Sequence, residues 1–260
     1  MTDVVIASNE ADATAASRIE AHHAELLGNL ALRVEALITA AAQGADADSA
    51  RADLAAWAER ELVPHALAEE AELYPAARAI REGRLIVDAL VAEHAVLTGL
   101  VSELRTATDA VRAAAAAKAL LTMFDSHQQH ENAQVLPLLV ATPDVSLAAL
   151  LEGMHGSLAE AEHEHHEEDE PPAGHGTCAC GHEDEPGLPE LDSRTIPHAI
   201  RHATIFGALD AVKPGGGMVL VANHEPKPLL VQLDQRWPGR FAVSFVERGP
   251  EVWRLEFLRR

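Results

Sequence analysis

The stretch HQQHENAQVLP, residues 127–137, decides the fold of the first half of the chain because it has a twin in HALAEEAELYP, residues 65–75. Both stretches start with a histidine, carry a glutamate four residues later and reach a proline six residues beyond that glutamate. The segments before them match as well, since HAELLG (23–28) and HAVLTG (94–99) share His, Ala, Leu and Gly. The chain therefore begins with an internal repeat of two helix pairs.

Four long helices are predicted over residues 1–152, which are rich in Ala, Leu and Glu and poor in Gly and Pro. Ser49 is a suitable N-cap for the second helix, which Pro64 and Pro75 are expected to bend or interrupt. The predicted helices span Ala13–Ala42, Ser49–Arg81, Leu85–Thr106 and Thr108–Leu136, and a fifth, after Pro143, trails off into the next region. Because short connections join long helices, the expected fold is an all-α, up-down four-helix bundle.

Two further regions follow the bundle. Residues 153–189 hold many acids, histidines and prolines but no Lys or Arg, so they are predicted to form a largely disordered linker. Residues 190–260 indicate a β-α-β-α-β-β order, in which FAVSFVERG (241–249) and EVWRLEFLR (251–259) alternate apolar and polar residues as half-covered strands do. We expect a small α+β two-layer sandwich with both helices on one face of the sheet.

The bulk composition excludes some partners and locations. The formal net charge is −21, and nucleic acids and anionic membranes attract clustered Lys and Arg, so neither is an expected partner. The N-terminus lacks the basic start and apolar stretch of a signal peptide, and no run of residues approaches the ~20 apolar residues of a membrane span. Cys178 and Cys180 are too close for an ordinary structural disulfide, so a reducing cytoplasm is the expected location.

The repeated His-x-x-x-Glu motif predicts a metal site. Residues four apart lie one turn apart on the same helix face, so the histidine and the carboxylate can bind one metal or two adjacent metals. One such motif is more often a solvated ion pair, and a lone histidine on an apolar face is more often a core residue. Two copies in register, each preceded by a histidine on the partner helix, favour a dinuclear site in the bundle core. Its candidate ligands are His23, His65, Glu69, His94, His127 and Glu131.

Four neighbours of these ligands have alternative roles. His22 adjoins His23, but the match between Gly28 and Gly99 favours His23 as the ligand, and Glu70 adjoins Glu69 without the four-residue spacing. His130 is one position short of the ligand face, which favours a supporting or surface role, and Tyr74 is expected to pack near the site.

Residues 19–137 resemble the hemerythrin-like HHE cation-binding domains through these same histidines and glutamates. The resemblance implies a non-haem di-iron site in which Glu69 and Glu131 bridge the irons and two histidines bind each iron. Oxygen-carrying hemerythrins have a further histidine where this chain has Thr98, and their last helix carries a different carboxylate spacing. Open coordination positions favour reaction with O2, peroxide or nitric oxide over reversible O2 storage. Zinc or manganese are alternative metals for the same ligands.

Residues 190–258 are similar to an uncharacterised bacterial domain family predicted to share the sulfur-carrier (TusA-like) fold, through PHAIRH, HEPKPL and GPEVW. Sulfur carriers form a persulfide on a Cys-Pro at the start of their first helix, where this chain has Ile196 and Pro197, so sulfur transfer is not expected. The remaining candidates for a site that binds a metal, an anion or a partner are Arg194, His198, His202 and His224. Surface and helix-end roles fit these residues equally well, although the first two histidines are four apart on the predicted helix.

The linker offers a second candidate metal site, formed by His175, Cys178, Cys180 and His182. Its C-x-C spacing is tighter than the C-x2-4-C of usual structural zinc sites. A solvated acidic tether is the alternative role for this segment.

Two functions fit the sequence. The first is a di-iron protein that handles O2, peroxide or nitric oxide in oxidative or nitrosative stress, or in iron homeostasis. The second is a non-enzymatic metal sensor or buffer whose C-terminal domain docks an unidentified protein partner. The sequence leaves open whether the protein turns over a substrate.

Overall fold

The computed structural model describes residues 9–165 and 187–260. The first helix, α1, spans Glu10–Gln43. It begins where the Asn9 side chain accepts a hydrogen bond from the backbone N–H of Asp12, at 2.9 Å. It ends at Gly44, whose φ of 66° lies in the left-handed region that glycine adopts readily.

The second long helical segment of the bundle (the second rod) contains both prolines that were expected to bend or interrupt it. Three α-helices alternate with two π-helical segments in the order α2 (Ala47–Trp57), π1 (Ala58–Leu62), α3 (Val63–Ala68), π2 (Glu69–Leu73) and α4 (Tyr74–Ala79). Pro64 and Pro75 each stand second in the α-helix that follows a π segment. Because Val63 and Tyr74 donate their N–H to the carbonyl five residues back, the chain has already left the α pattern before each proline. The α-helix is thus interrupted by a π segment before each proline, while the helical segment as a whole continues past both.

The second half of the bundle repeats this construction. A 3-10 turn, Arg81–Gly83, leads into α5, and a π segment again precedes a proline, Pro137. These elements are α5 (Arg84–Thr106), α6 (Ala110–His130), π3 (Glu131–Val135) and α7 (Leu136–Val140). The predicted fifth helix is α8, Leu147–His165, and it packs against α1 and π2. The structure confirms the helical bundle.

One helix corrects the expectation that no segment could span a membrane. By length and composition alone, Arg81–Thr106 is long and apolar enough, with a mean hydropathy of 1.7 over an 18-residue window. This helix also supplies Leu90, Leu97 and Leu104 to the bundle interior, so its inner face is a core face.

Two apolar clusters form the interior of the bundle. One is centred on Leu30, Leu54 and Leu120, and the other on Ile19 and Leu136. His23, the predicted ligand on α1, lies between the two clusters. It follows Ile19 of one cluster and precedes Leu26 of the other. The bundle therefore has a polar layer across an otherwise apolar core.

The C-terminal domain has the predicted β-α-β-α-β-β order. Its elements are β1 (Glu190–Asp192), α9 (Arg201–Ala211), β2 (Gly217–Ala222), α10 (Lys227–Arg236), β3 (Phe241–Arg248) and β4 (Trp253–Arg259). The sheet order is β1-β2-β4-β3, with β1 parallel to β2 and the other pairs antiparallel. Both helices contribute to one core with alternate residues of β2 and β4, such as Leu220 and Leu255. The small α+β sandwich is confirmed.

The C-terminal domain packs directly on α1 through a close crossing with α9. A Cβ at Gly28 would lie 1.8 Å from the carbonyl oxygen of Thr204, and a Cβ at Gly207 would lie 1.9 Å from that of Glu25. Leu32 of α1 belongs to the C-terminal core. Only residues without a side chain allow the two backbones to approach this closely.

Candidate metal centre

The six predicted ligands come together in the polar layer of the bundle. Each of them is at most 4% exposed, which is rare for so many titratable side chains in one place. The helices α1 and α5 each supply one histidine. The α3–π2 junction and the α6–π3 junction each supply a histidine and a glutamate. Both glutamates are the first residue of a π segment. These candidate ligands are His23, His65, Glu69, His94, His127 and Glu131. π-Helical segments are frequent at functional sites.

Glu69 lies between two histidine pairs. Its Oε1 is 3.0 Å from Nε2 of His23 and 2.9 Å from Nε2 of His65. Its Oε2 is 3.3 Å from Nε2 of His94, which is itself 3.0 Å from Nε2 of His127. Two groups of donor atoms able to hold an ion result, and this carboxylate belongs to both.

Glu131 closes the cluster from the opposite rod. Its Oε2 is 3.7 Å from Nε2 of His23 and 3.9 Å from Nε2 of His127, so it faces one histidine of each pair. Neither of its carboxylate oxygens has a hydrogen-bond partner, and the same is true of Oε2 of Glu69. Buried carboxylate oxygens without partners are costly unless a cation compensates them.

The electrostatics of the cluster fit a bound cation. Burial raises the pKa of Glu131 well above its usual value, and the nearby Glu69 carboxylate raises it further. Burial opposes ionisation of Glu69 too, but His65 and hydrogen bonds from the surrounding histidines outweigh it and lower the pKa of that carboxyl. Burial lowers the pKa of His127 to about 4. A neutral His127 facing His94 brings two nitrogen lone pairs together unless a proton or a metal lies between them.

Three further residues orient the histidines from outside. Asn132 Oδ1 is 2.8 Å from Nδ1 of His23 and Glu70 Oε1 is 2.8 Å from Nδ1 of His94. Glu93 Oε2 is 3.0 Å from Nδ1 of His127. When each Nδ1–H donates to such an oxygen, the Nε2 lone pair is left for a metal. Glu70 was predicted only as an alternative to Glu69, and no role was predicted for Asn132 or Glu93. Their one signal was that each directly adjoins a predicted ligand.

Removing these outer carboxylates should weaken metal binding without removing a ligand. We expect Glu93→Ala and Glu70→Ala each to lower metal affinity by about 10- to 100-fold, because the histidine loses the acceptor that fixes its tautomer and orientation. Glu61→Ala, at an exposed position on the same rod as Glu70, is the matched control and should leave affinity unchanged. Competition with a chelator measures all three. Equal affinities for Glu93→Ala and Glu61→Ala would contradict this role.

The neighbours with open roles take three different places. The Tyr74 hydroxyl is buried and lies 3.5 Å from Nε2 of both His94 and His127, so it borders the cluster as well as packing in the core. The His22 side chain is exposed, and its ring meets that of His65 edge-on, with centroids 5.0 Å apart. His130 is largely exposed and lies 3.4 Å from Glu93, outside the cluster.

A narrow cavity reaches the cluster beside His65, His94 and His127. It has room for about one water-sized molecule. Its other walls are mostly apolar and are formed by Leu62, Val63, Ala66, Leu97, Thr98, Val101 and Phe124. Thr98 stands where oxygen-carrying hemerythrins have a further histidine, and its hydroxyl donates to the His94 carbonyl oxygen at 3.0 Å.

The C-terminal candidates are only partly together. His198, His202 and His224 line one cavity of about 400 Å³ at the carboxyl ends of β1 and β2. Arg194 does not line it and instead pairs with Asp192, at 2.9 Å and 2.7 Å, which lowers the pKa of that carboxyl. The expectation that the first two histidines share a helix face is wrong, because α9 begins at Arg201 and residue 198 lies in the preceding turn.

The linker site cannot be placed. His175, Cys178, Cys180 and His182 lie outside the described residues, so a second metal site there stays a prediction. Within residues 9–165 and 187–260, the groups of three donors close enough to hold an ion are the two that share Glu69.

Comparison with known families agrees with this geometry. The family model described as the hemerythrin HHE cation-binding domain matches residues 14–139, and the one described as an uncharacterized conserved protein, DUF2249, matches residues 190–259. No curated protein and no solved structure matches the chain. The buried His/Glu cluster lies within the first match and points to a metal ion. The chain therefore joins a hemerythrin HHE cation-binding domain to a C-terminal domain of the uncharacterised DUF2249 family.

Proposed function

We propose that the bundle holds a di-iron centre that handles O2, peroxide or nitric oxide in the cytoplasm, in oxidative or nitrosative stress or in iron homeostasis. The observation that carries the proposal is the position of Glu69, one carboxylate shared by two groups of buried donor atoms. Mixed imidazole and carboxylate ligands suit iron, with zinc or manganese as competitors.

In this proposal each histidine pair holds one metal. His23 and His65 would hold one iron and His94 and His127 the other, with carboxylate oxygens from Glu69 and Glu131 beside both pairs. The iron pair would supply redox equivalents and open coordination positions for a small ligand. The protein would hold the ligand set rigid, keep bulk water out through burial and admit a small molecule along the apolar cavity.

Metal content and absorption spectra test this function directly. Protein purified without oxygen should hold two irons per chain by mass spectrometry. Its near-ultraviolet absorption should change on exposure to air and to nitric oxide, because both ligands would reach the metal pair. Apoprotein reloaded with zinc is the control and should show no such change. Protein that holds a single zinc, or no metal, and stays spectrally silent would contradict the di-iron function.

A metal sensor or buffer is the second candidate. The observation that favours it is the packing of the C-terminal domain on α1, the helix that carries His23. In this function the domain, with its cavity lined by histidines, would dock a protein partner and report the metal state of the bundle. Protein that binds a full complement of metal but whose absorption spectrum does not change with oxidants would favour the sensor or buffer function. The kinship of this domain with the sulfur carriers stays a proposal, and the absence of cysteine at Ile196 and Pro197 removes the persulfide site.

A further inference from the structure

A cavity of about 400 Å³ lies at the carboxyl ends of the parallel strands β1 and β2, where α9 and α10 begin. This C-terminal cavity is the one lined by the three histidines described above. Its inner wall is apolar, because Ile205, Leu220 and Leu229 line it and belong to the core of the domain. Open α/β sheets bind ligands outside the carboxyl ends of their strands, and the volume is in the range of small-molecule sites.

The charged and titratable side chains that line the C-terminal cavity are basic. They belong to Arg201 and the three histidines, and among the described residues that line the cavity none is Asp or Glu. This is unusual in a chain whose 41 Asp and Glu outnumber its 20 Lys and Arg. Asp192 and Glu225, which adjoin lining residues in the chain, each pair with a cation of their own, Arg194 at 2.7 Å and Lys227 at 3.1 Å. The lining therefore favours a negatively charged ligand.

Hydrogen bonds to side-chain amides hold two of the histidines in place. Nδ1 of His202 lies 3.0 Å from Oε1 of Gln232, and Nδ1 of His224 lies 2.6 Å from Oδ1 of Asn223. Because an amide oxygen only accepts hydrogen bonds, each Nδ1 carries the donated proton. The Nε2 of each ring is therefore the nitrogen left for a ligand.

The start of α9 adds donors at the same place. Arg201, the first residue of this helix, donates through Nε and Nη2 to the Ile196 carbonyl oxygen, at 3.1 Å and 2.8 Å. Its guanidinium is thereby fixed and keeps further N–H groups for a ligand. Among the described residues no side chain caps this helix, and N–H groups at a helix start favour an anion. The helix start reinforces the basic side chains and does not replace them.

We propose that the C-terminal cavity binds a small organic anion. Its carboxylate or phosphate group accepts hydrogen bonds from Arg201 and the histidines, and its apolar part lies against Leu220 and Leu229. A metal ion is the other candidate occupant of a site with three histidines. Among the described residues, the groups of three donors close enough to hold an ion lie in the bundle, so these histidines are not arranged for one. The proposal does not depend on which metal the bundle holds.

Isothermal titration calorimetry on the full metal-loaded chain tests the proposal with phenyl phosphate, which joins an anionic group to an apolar ring. We expect one binding site for it, and at least about tenfold weaker binding of benzyl alcohol, which has the ring without the charge. His202→Ala and His224→Ala should each weaken phenyl phosphate binding by about tenfold or more, because each removes a hydrogen bond to a charged group. His155→Ala removes an exposed histidine of α8, outside the cavity, and should leave binding unchanged.

A matched pair of variants at Ala199, an exposed residue that lines the cavity, separates charge from shape. Ala199→Glu adds a carboxylate and should abolish phenyl phosphate binding, whereas Ala199→Gln, of the same size, should retain it. Circular dichroism should be the same in all variants. A wild-type chain that does not bind phenyl phosphate would overturn the proposal, as would equal binding by the two Ala199 variants or by benzyl alcohol, or binding that neither histidine substitution weakens. Zinc binding that His202→Ala abolishes, without phenyl phosphate binding, would overturn it in favour of a metal site.

Discussion

Glu69→Gln is expected to empty both metal positions of the bundle at once. Its carboxylate lies within 3.3 Å of three histidines of the cluster, and among the described residues it is the group common to both sets of donors. An amide keeps the size of the side chain but removes the negative charge and one acceptor oxygen. We expect metal affinity to fall by at least about 100-fold, more than for loss of an outer residue. Metal analysis after exhaustive dialysis measures the effect.

The matched comparison is a ligand that serves one group only. His23 belongs to the first donor group and not to the second, so His23→Ala should lose one metal and retain the other. Glu61→Gln repeats the amide substitution at an exposed site on the same rod and should keep full metal content. If Glu69→Gln retains one metal, or if His23→Ala loses both, the shared position of this carboxylate does not govern binding.

The six residues of the buried cluster could be predicted from the sequence because their motif is duplicated. A histidine and a glutamate four residues apart are common in helices. Here the same spacing occurs twice, at His65 and Glu69 and at His127 and Glu131. The residues behind them carry no such signal. Glu93 and Asn132 reach their histidines across helix–helix contacts, and those contacts depend on how the rods are rotated against each other.

The prolines mark where the α-helical pattern changes. A proline in a helix removes a hydrogen bond and clashes with the preceding turn, so an interruption was the reasonable expectation at Pro64 and Pro75. The α-helix is interrupted before each of them, where the turn widens into a π segment. Of π1, π2 and π3, the last two start at the glutamates of the cluster. The feature that breaks the α-helical pattern is thus part of the construction of the site.

The packing of the C-terminal domain on α1 was also beyond reach from the sequence. In the sequence, Gly28 is distinguished only by its match to Gly99 in the repeat, and Gly207 belongs to no predicted motif. Gly28 approaches Thr204 and Gly207 approaches Glu25, and no local periodicity encodes contacts between residues so far apart in the chain. No contact between the two domains was predicted, whereas the C-terminal domain shares a core cluster with Leu32 of α1.

Gly207→Ala is expected to separate α9 from α1 and to destabilise the protein. The added Cβ would lie 1.9 Å from the carbonyl oxygen of Glu25, and a backbone atom cannot move aside as a flexible side chain can. The helices must part, which exposes Leu32 and strains the ion pair between Arg236 and Glu25. Overpacking of this kind costs about 1–3 kcal/mol or more, which should lower the Tm by several degrees. Gly28→Ala should act in the same way, because its Cβ would meet Thr204.

The control is a Gly→Ala substitution that should not lower the stability of the protein. Gly156 lies in α8 with nothing within 4 Å of a Cβ, so Gly156→Ala should be neutral or stabilise by up to about 1 kcal/mol through helix propensity alone. Thermal unfolding gives the stability of each variant. Hydrogen exchange of α1 and α9 shows whether the two helices have parted. Because the same Gly→Ala change is made on a helix each time, opposite signs can come only from the crossing. Stabilisation by Gly207→Ala with unchanged exchange in α1 would mean that the close approach does not exist in solution.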